Sequence, residues 1–126
     1  MTKSQLRDIG HILIGVEDMD AALGFYRDLL GFEVVGEVTP AWTEVRAAGG
    51  TLTLYGEEPL PPIALGPEGD QTPYVFHVDD FEAAADFLEA QGVRVKRDGP
   101  QDGVVWDPFG NVIGLHDHRG EKEGWG

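Results

Sequence analysis

Residues 16–34, "VEDMDAALGFYRDLLGFEV", and residues 78–95, "VDDFEAAADFLEAQGVRV", follow one pattern, and their agreement decides the fold. Each opens on a valine and two acids. The second acid, Asp18 or Asp80, can accept the unpaired backbone N–H groups of a first helical turn. Each then carries a core-facing stripe: Leu23, Tyr26, Leu29 and Leu30 in the first copy, Phe81, Ala84, Phe87 and Leu88 in the second. Each stops at a glycine, Gly31 or Gly92, that can take the left-handed backbone ending a helix. The second helix is one residue shorter.

Strand-like runs flank both copies. "IGHILIGV" (Ile9–Val16) precedes the first and "FEVVGEV" follows it, while "YVFHV" (Tyr74–Val78) precedes the second and "VRVK" follows it. Further on, "AAGGTLTLYG" (47–56) parallels "DPFGNVIGLHD" (107–117), each a glycine-containing turn feeding a strand. The chain is therefore an internal repeat of about 60 residues, each unit reading strand, helix, then three strands. The first module is expected over about 9–56 and the second over about 73–118. The Pro- and Gly-rich segment 57–72, "EEPLPPIALGPEGDQT", reads as a connecting loop.

A chain of 126 residues with 41% hydrophobic content suffices for a single domain made of both repeats. It has no cysteine, so disulfides, thiolate metal sites and cysteine nucleophiles are excluded. Twenty-three acids against nine bases give a formal charge of −14, a field that repels nucleic acid and anionic membranes. No stretch approaches the roughly 20 apolar residues that span a bilayer, and the N-terminus lacks a cleavable leader pattern. A cytoplasmic protein is expected. None of the few Ser and Thr residues sits in a nucleophile elbow. Neither a dinucleotide-binding glycine turn nor a phosphate-binding loop occurs.

"HILIGVEDMDAALGFYRDLLGFEVV", above all its "FYRDLLGF" segment, together with "DPFGNVIGL" near the other end, resembles the vicinal oxygen chelate superfamily, also called the glyoxalase/bleomycin-resistance/dioxygenase superfamily. The resemblance covers roughly Ile9 to His118. It implies an α+β fold of two βαβββ modules, forming a curved mixed sheet around a cavity, with a homodimer commonly completing the pocket.

In metal-dependent members of that superfamily, four ligands come from the first and last strands of the two modules. Carried over by resemblance, the first falls on His11, a competent imidazole. The second falls on Thr53 and the fourth on Gly114, where the pattern has Glu. The third falls at or beside Pro73, where the pattern has His or another ligand. Thr, Pro and Gly side chains offer a divalent ion almost nothing, so no metal and no other cofactor is expected. His77 and His116 share strand faces with Pro73 and Gly114. They stand about 13 and 7 Å from those positions along their strands, so a rebuilt His11, His77, His116 centre would need re-registered strands.

The remaining pattern suits binding. Tyr55 is the repeat partner of His116, and Trp42 and Trp106 occupy matching parts of the two modules, where an indole can stack on a flat ligand or a cation. Glu44 adds negative charge beside Trp42. The expected ligand-binding set is His11, Trp42, Thr53, Tyr55, His77, Trp106, Gly114 and His116, and no catalytic residue is assigned.

The favoured function is a metal-independent small-molecule-binding protein, with drug or antibiotic sequestration as its finer form and an aromatic or cationic molecule as ligand. The alternative is a lyase, isomerase or dioxygenase with a displaced metal or a histidine acid/base. A third reading, a fold used only for interaction, would employ the tail "RGEKEGWG" with Trp125, which otherwise reads as a frayed end. His118 is expected to face solvent.

Overall fold

The computed structural model describes residues 4–6, 10–47 and 50–117. Its order is β1 (Leu13–Gly15), α1 (Met19–Leu23), a π-helical continuation (Gly24–Leu29), β2 (Glu33–Val35), β3 (Trp42–Ala47), β4 (Gly50–Tyr55), β5 (Val75–His77), α2 (Phe81–Ala90), β6 (Val95–Arg97), β7 (Asp102–Trp106) and β8 (Val112–His116). The strands form two four-stranded mixed sheets, β1-β4-β3-β2 and β5-β8-β7-β6. In each, the first strand runs parallel to the last and the remaining pairs are antiparallel. The α+β repeat read from the sequence is thus the architecture. His118, Arg119 and the tail with Trp125 lie outside the described residues.

Both helices begin as their caps dictate. The Asp18 carboxylate accepts from the N–H groups of Asp20 and Ala21 at 2.9 and 3.2 Å, and Asp80 accepts from Ala83 at 3.1 Å. Asp117, fully buried at the end of β8, adds a second acceptor for α2 by taking the N–H of Phe81 at 2.7 Å. Its charge also suits the positive end of that helix dipole. Gly31 and Gly92 close the helices with φ of 81° and 86°.

The one-residue difference between the helices has a structural form. The extra residue of the first helix is absorbed as a π turn, in which the Leu30 N–H reaches back five residues to the carbonyl of Phe25 at 2.9 Å. The turn lets Phe25 and Tyr26 both be buried, at 3% and 0% exposure.

One continuous core joins the modules. Met19, Ala22, Leu23, Phe25 and Tyr26 of the first helix and Phe81, Ala85 and Leu88 of α2 pack with Ile14, Val45, Leu54, Val105, Ile113 and Leu115 of the sheets. Burying a side chain such as Phe81 is worth about 1.5–3 kcal/mol. The second stripe differs from the sequence expectation. Phe81, Ala85 and Leu88 face inward at helical spacing, Ala84 is half-buried, and Phe87 is 50% exposed. One residue before Leu88, Phe87 is turned about 100° around the helix axis from it, off the buried stripe.

The loop between the modules is tied down along its length. A Cβ on Gly15 would stand 2.8 Å from the Leu60 side chain, so only glycine admits this close passage. Ile63 donates its N–H to Asn111 Oδ1 at 2.8 Å and accepts from the Val112 N–H at 2.6 Å. A bridge between Leu65 and Gln71 closes the distal turn, where Asp70 pairs with Lys96 of β6.

Candidate functional site

Strand alternation sorts the candidate residues onto faces. In the first sheet, Leu52, Leu54, Thr43 and Val45 turn toward the helices and are buried. Thr53 and Tyr55 of β4 therefore turn the other way, opposite Glu44 and Trp42 of β3 in the register. His11 joins that face just before β1, where the Thr53 N–H bonds the carbonyl of Ile12 at 2.9 Å.

These side chains meet. The His11 ring stands edge-on to Trp42, with centroids 5.0 Å apart and planes at 82°. Trp42 in turn meets Tyr55 at 6.1 Å and 85°. His11 Nδ1 lies 3.8 Å from Glu44 Oε1, both partly open to solvent, and Thr53 is buried at 1% exposure. Trp42 is held from behind by its own turn. Its N–H donates to Thr39 Oγ1 at 3.0 Å, and the Thr39 hydroxyl donates to the Trp42 carbonyl at 2.9 Å. Burial and the neighbouring acids Glu58 and Glu57 push the Tyr55 phenol above its ordinary pKa, so it stays neutral and able to donate. Glu44, Glu57 and Glu58 together make this rim acidic.

The second sheet carries a different group. The register pairs Val75 with Gly114 and His77 with His116, so Gly114 and His116 are the repeat partners of Thr53 and Tyr55. The His77 and His116 rings stand 6.3 Å apart. His116, 7% exposed, is paired through Nδ1 with the Asp102 carboxylate opposite it. Asp102 carried no motif in the sequence; only the strand register brings it to the imidazole.

Trp106 does not match Trp42. Trp42 opens β3 opposite Tyr55, whereas Trp106 closes β7 opposite Val112, at the other end of its strand. The Arg94 guanidinium lies over its ring, 3.8 Å from the centroid, so one face of this indole already has a cation. The candidate residues thus fall into His11, Trp42, Thr53 and Tyr55 on one sheet, His77, Gly114 and His116 on the other, and Trp106 apart with Arg94.

Among the described residues, no group of three or more His, Asp or Glu could hold an ion. At Gly114, moreover, a Cβ would lie 3.0 Å from Val75 Cγ2 and 3.2 Å from the Tyr74 carbonyl, so a longer ligand there meets its neighbours at once. The residues at the four positions do not fit a divalent ion.

Residues 8–115 match the family model described as the glyoxalase/bleomycin resistance protein/dioxygenase superfamily. Among solved structures, the chain resembles TnmS3, an antibiotic-binding protein from Streptomyces sp. CB03234, with 26% identity, a TM-score of 0.69, and coverage of 91% of this chain and 98% of that one. It also resembles lactoylglutathione lyase from Agrobacterium tumefaciens, at 20% identity and a TM-score of 0.64, covering 97% and 100% of the two chains. A third likeness is to the fosfomycin resistance protein FosX from Listeria monocytogenes, at 15% identity and a TM-score of 0.68, covering 89% and 91%. The last two similarities speak to the fold alone. No curated protein matches the sequence, and no helix among the described residues is long and apolar enough to cross a membrane.

Proposed function

We propose, from the premise that this chain belongs to the glyoxalase/bleomycin resistance protein/dioxygenase superfamily, that it is a metal-independent binder of aromatic or cationic small molecules, acting by sequestration. The observation that carries the reading is the Trp42 cluster. The Trp42 indole, on a backbone held by its own turn, meets the His11 and Tyr55 rings edge-to-face, with the Glu44 carboxylate on the same face. Such a group offers a flat ligand stacking surface and offers a cation both a π face and a carboxylate. The acidic rim and a net charge of −14 draw cations toward it. Thr53 and Gly114 supply no carboxylate where the metal-dependent pattern has one, so the reading needs no bound ion. The similarity to an antibiotic-binding protein supports small-molecule binding. His77 and His116 on the second sheet would complete the pocket.

The working form is a homodimer in the cytoplasm. Leu13 on β1, an edge strand of the first sheet, is 38% exposed, apolar surface that a second copy would cover. The direct test is titration of tryptophan fluorescence with basic and aromatic antibiotics. Saturable quenching at roughly tens of micromolar (about 6 kcal/mol of binding), lost in Trp42→Ala and weakened in Glu44→Gln, is the expected result; a panel in which nothing binds defeats the reading.

One observation favours a second reading. The Asp102 carboxylate on His116 Nδ1 orients the imidazole, as a positioned general base requires. An enzyme using His116 with His77 beside it would lose turnover in Asp102→Asn as well as in His116→Ala. Turnover unchanged in both would remove this alternative.

A further inference from the structure

The two modules close their helices unequally. In the second module the turn between β7 and β8, Asp107-Pro-Phe-Gly-Asn111, reaches across to the first helix, and Phe25 there is 3% exposed. The corresponding turn of the first module, between β3 and β4, reads Ala47-Ala-Gly-Gly50 and carries no side chain longer than a methyl. Phe87, the repeat partner of Phe25, is accordingly 50% exposed, and Leu88 stands where its partner Tyr26 has a phenol.

A cavity of about 710 Å³ lies between the end of the first helix, Ala47 and Gly50, edge strand β5 and α2. A second hollow beside the first helix, about 580 Å³, is bordered by Gln91, Arg94, Trp106 and Asp107 and so has charged side chains at its edge. The larger cavity is walled by Leu29, Leu30, Phe87, Leu88, Ile113 and Leu115, and His77 is its one titratable neighbour among the described residues. Its size lies within the range of about 300–1,000 Å³ typical of small-molecule sites.

We propose that this cavity is a second binding site, separate from the Trp42 face, for an uncharged and largely apolar small molecule carrying one hydrogen-bonding group. Among the described residues, no carboxylate or permanent cation lines it, so an ionic ligand would lose its hydration without a partner. The overall charge of −14 further disfavours anions. The hydrogen-bonding group follows from strand pairing. Tyr74 and Val78 direct their backbone bonds to β8, so the N–H and C=O of Val75 between them turn away from β8 toward the open edge of the sheet. Trp42, His11 and Tyr55 are not part of the wall, because their sheet face points away from the helices.

The test uses N-phenyl-1-naphthylamine, an uncharged aromatic amine whose fluorescence rises in apolar surroundings. Wild-type protein should bind it saturably, about one per chain. Ala84→Leu places an isobutyl group inside the cavity, and Phe87→Glu puts a carboxylate at an exposed position on its wall. Each variant should weaken binding about tenfold or more, the effect of losing one well-buried apolar contact, with unchanged circular dichroism. Absence of saturable binding, equal affinity in both variants, or loss of binding in Trp42→Ala would each overturn the assignment.

Discussion

The Tyr26 hydroxyl, on the first helix, donates to Asp107 Oδ2, in the last turn of the second module, at 2.6 Å, with both residues buried. The same carboxylate accepts from the N–H groups of Phe109 and Asn111 and from the Asn111 side-chain amide, all at 2.8 Å. Asn111 extends the network by donating to the Gly15 carbonyl at 3.0 Å and accepting from Ile63. The helix of one module, its first strand, the connecting loop and the final turn are thus joined through two polar side chains.

The network predicts unequal costs for its members. Tyr26→Phe leaves Asp107 with three donors and should cost about 1–2 kcal/mol. Asp107→Ala strands the phenol, the Asn111 amide and two backbone N–H groups in a dry interior, and should cost about 3–4 kcal/mol. Urea unfolding midpoints of the two variants decide the order. Equal losses would mean that the phenol, rather than the carboxylate, holds the modules together.

Alkaline stability should report on the same bond. Burial first, and then the negative charge and hydrogen bond of Asp107, raise the Tyr26 pKa well above its ordinary value. A group whose folded pKa is raised contributes stability that is complete below the unfolded pKa, about 10 for tyrosine, and is lost as pH rises above it. Wild-type thermal midpoints should therefore fall more steeply than those of Tyr26→Phe above pH of about 10. Parallel curves for the two proteins would show that Tyr26 does not titrate differently on folding.

How much of this was legible in the sequence depended on range. Helix caps, glycine stops and the repeat are local signals, and Asp18, Asp80, Gly31 and Gly92 act as read. The π turn was legible only as a one-residue mismatch between the copies. Phe87 is the exception, because burial depends on what distant segments pack over a helix, and helical spacing alone does not show that its ring is left 50% exposed. The supposed equivalence of Trp42 and Trp106 failed for a related reason, since strand register is fixed by pairing partners. Asp102 on His116, Arg94 on Trp106 and Tyr26 on Asp107 all join residues on different elements, and no local motif announces them.

Two glycines offer a matched test of packing. A Cβ on Gly103 would sit 2.4 Å from the Phe81 ring and 2.5 Å from the Lys96 carbonyl, so Gly103→Ala must push α2 from its sheet, at about 1–3 kcal/mol. Gly24, with helical φ of −57° and nothing within 4 Å of its added Cβ, should instead gain about 0.5–1 kcal/mol as Gly24→Ala. Thermal melts of the pair should move in opposite directions. A stabilised Gly103→Ala would show that the α2 contact is looser than its geometry implies.

Metal content is the measurement on which the functional reading turns. His11 is one donor, paired with Glu44 at 3.8 Å, while Thr53 is buried, Gly114 is pressed by Val75 and Tyr74, and Pro73 has no donor side chain. A hard divalent ion would have to surrender its water for one or two protein ligands, which the chemistry of such ions does not favour. Untagged protein purified without chelator, then challenged with nickel, zinc, manganese and anaerobic ferrous iron, should retain far less than one equivalent of each. Near-stoichiometric metal abolished by His11→Ala would mean that another arrangement supplies the missing donors. In that case lyase and dioxygenase assays, rather than ligand panels, would define the activity.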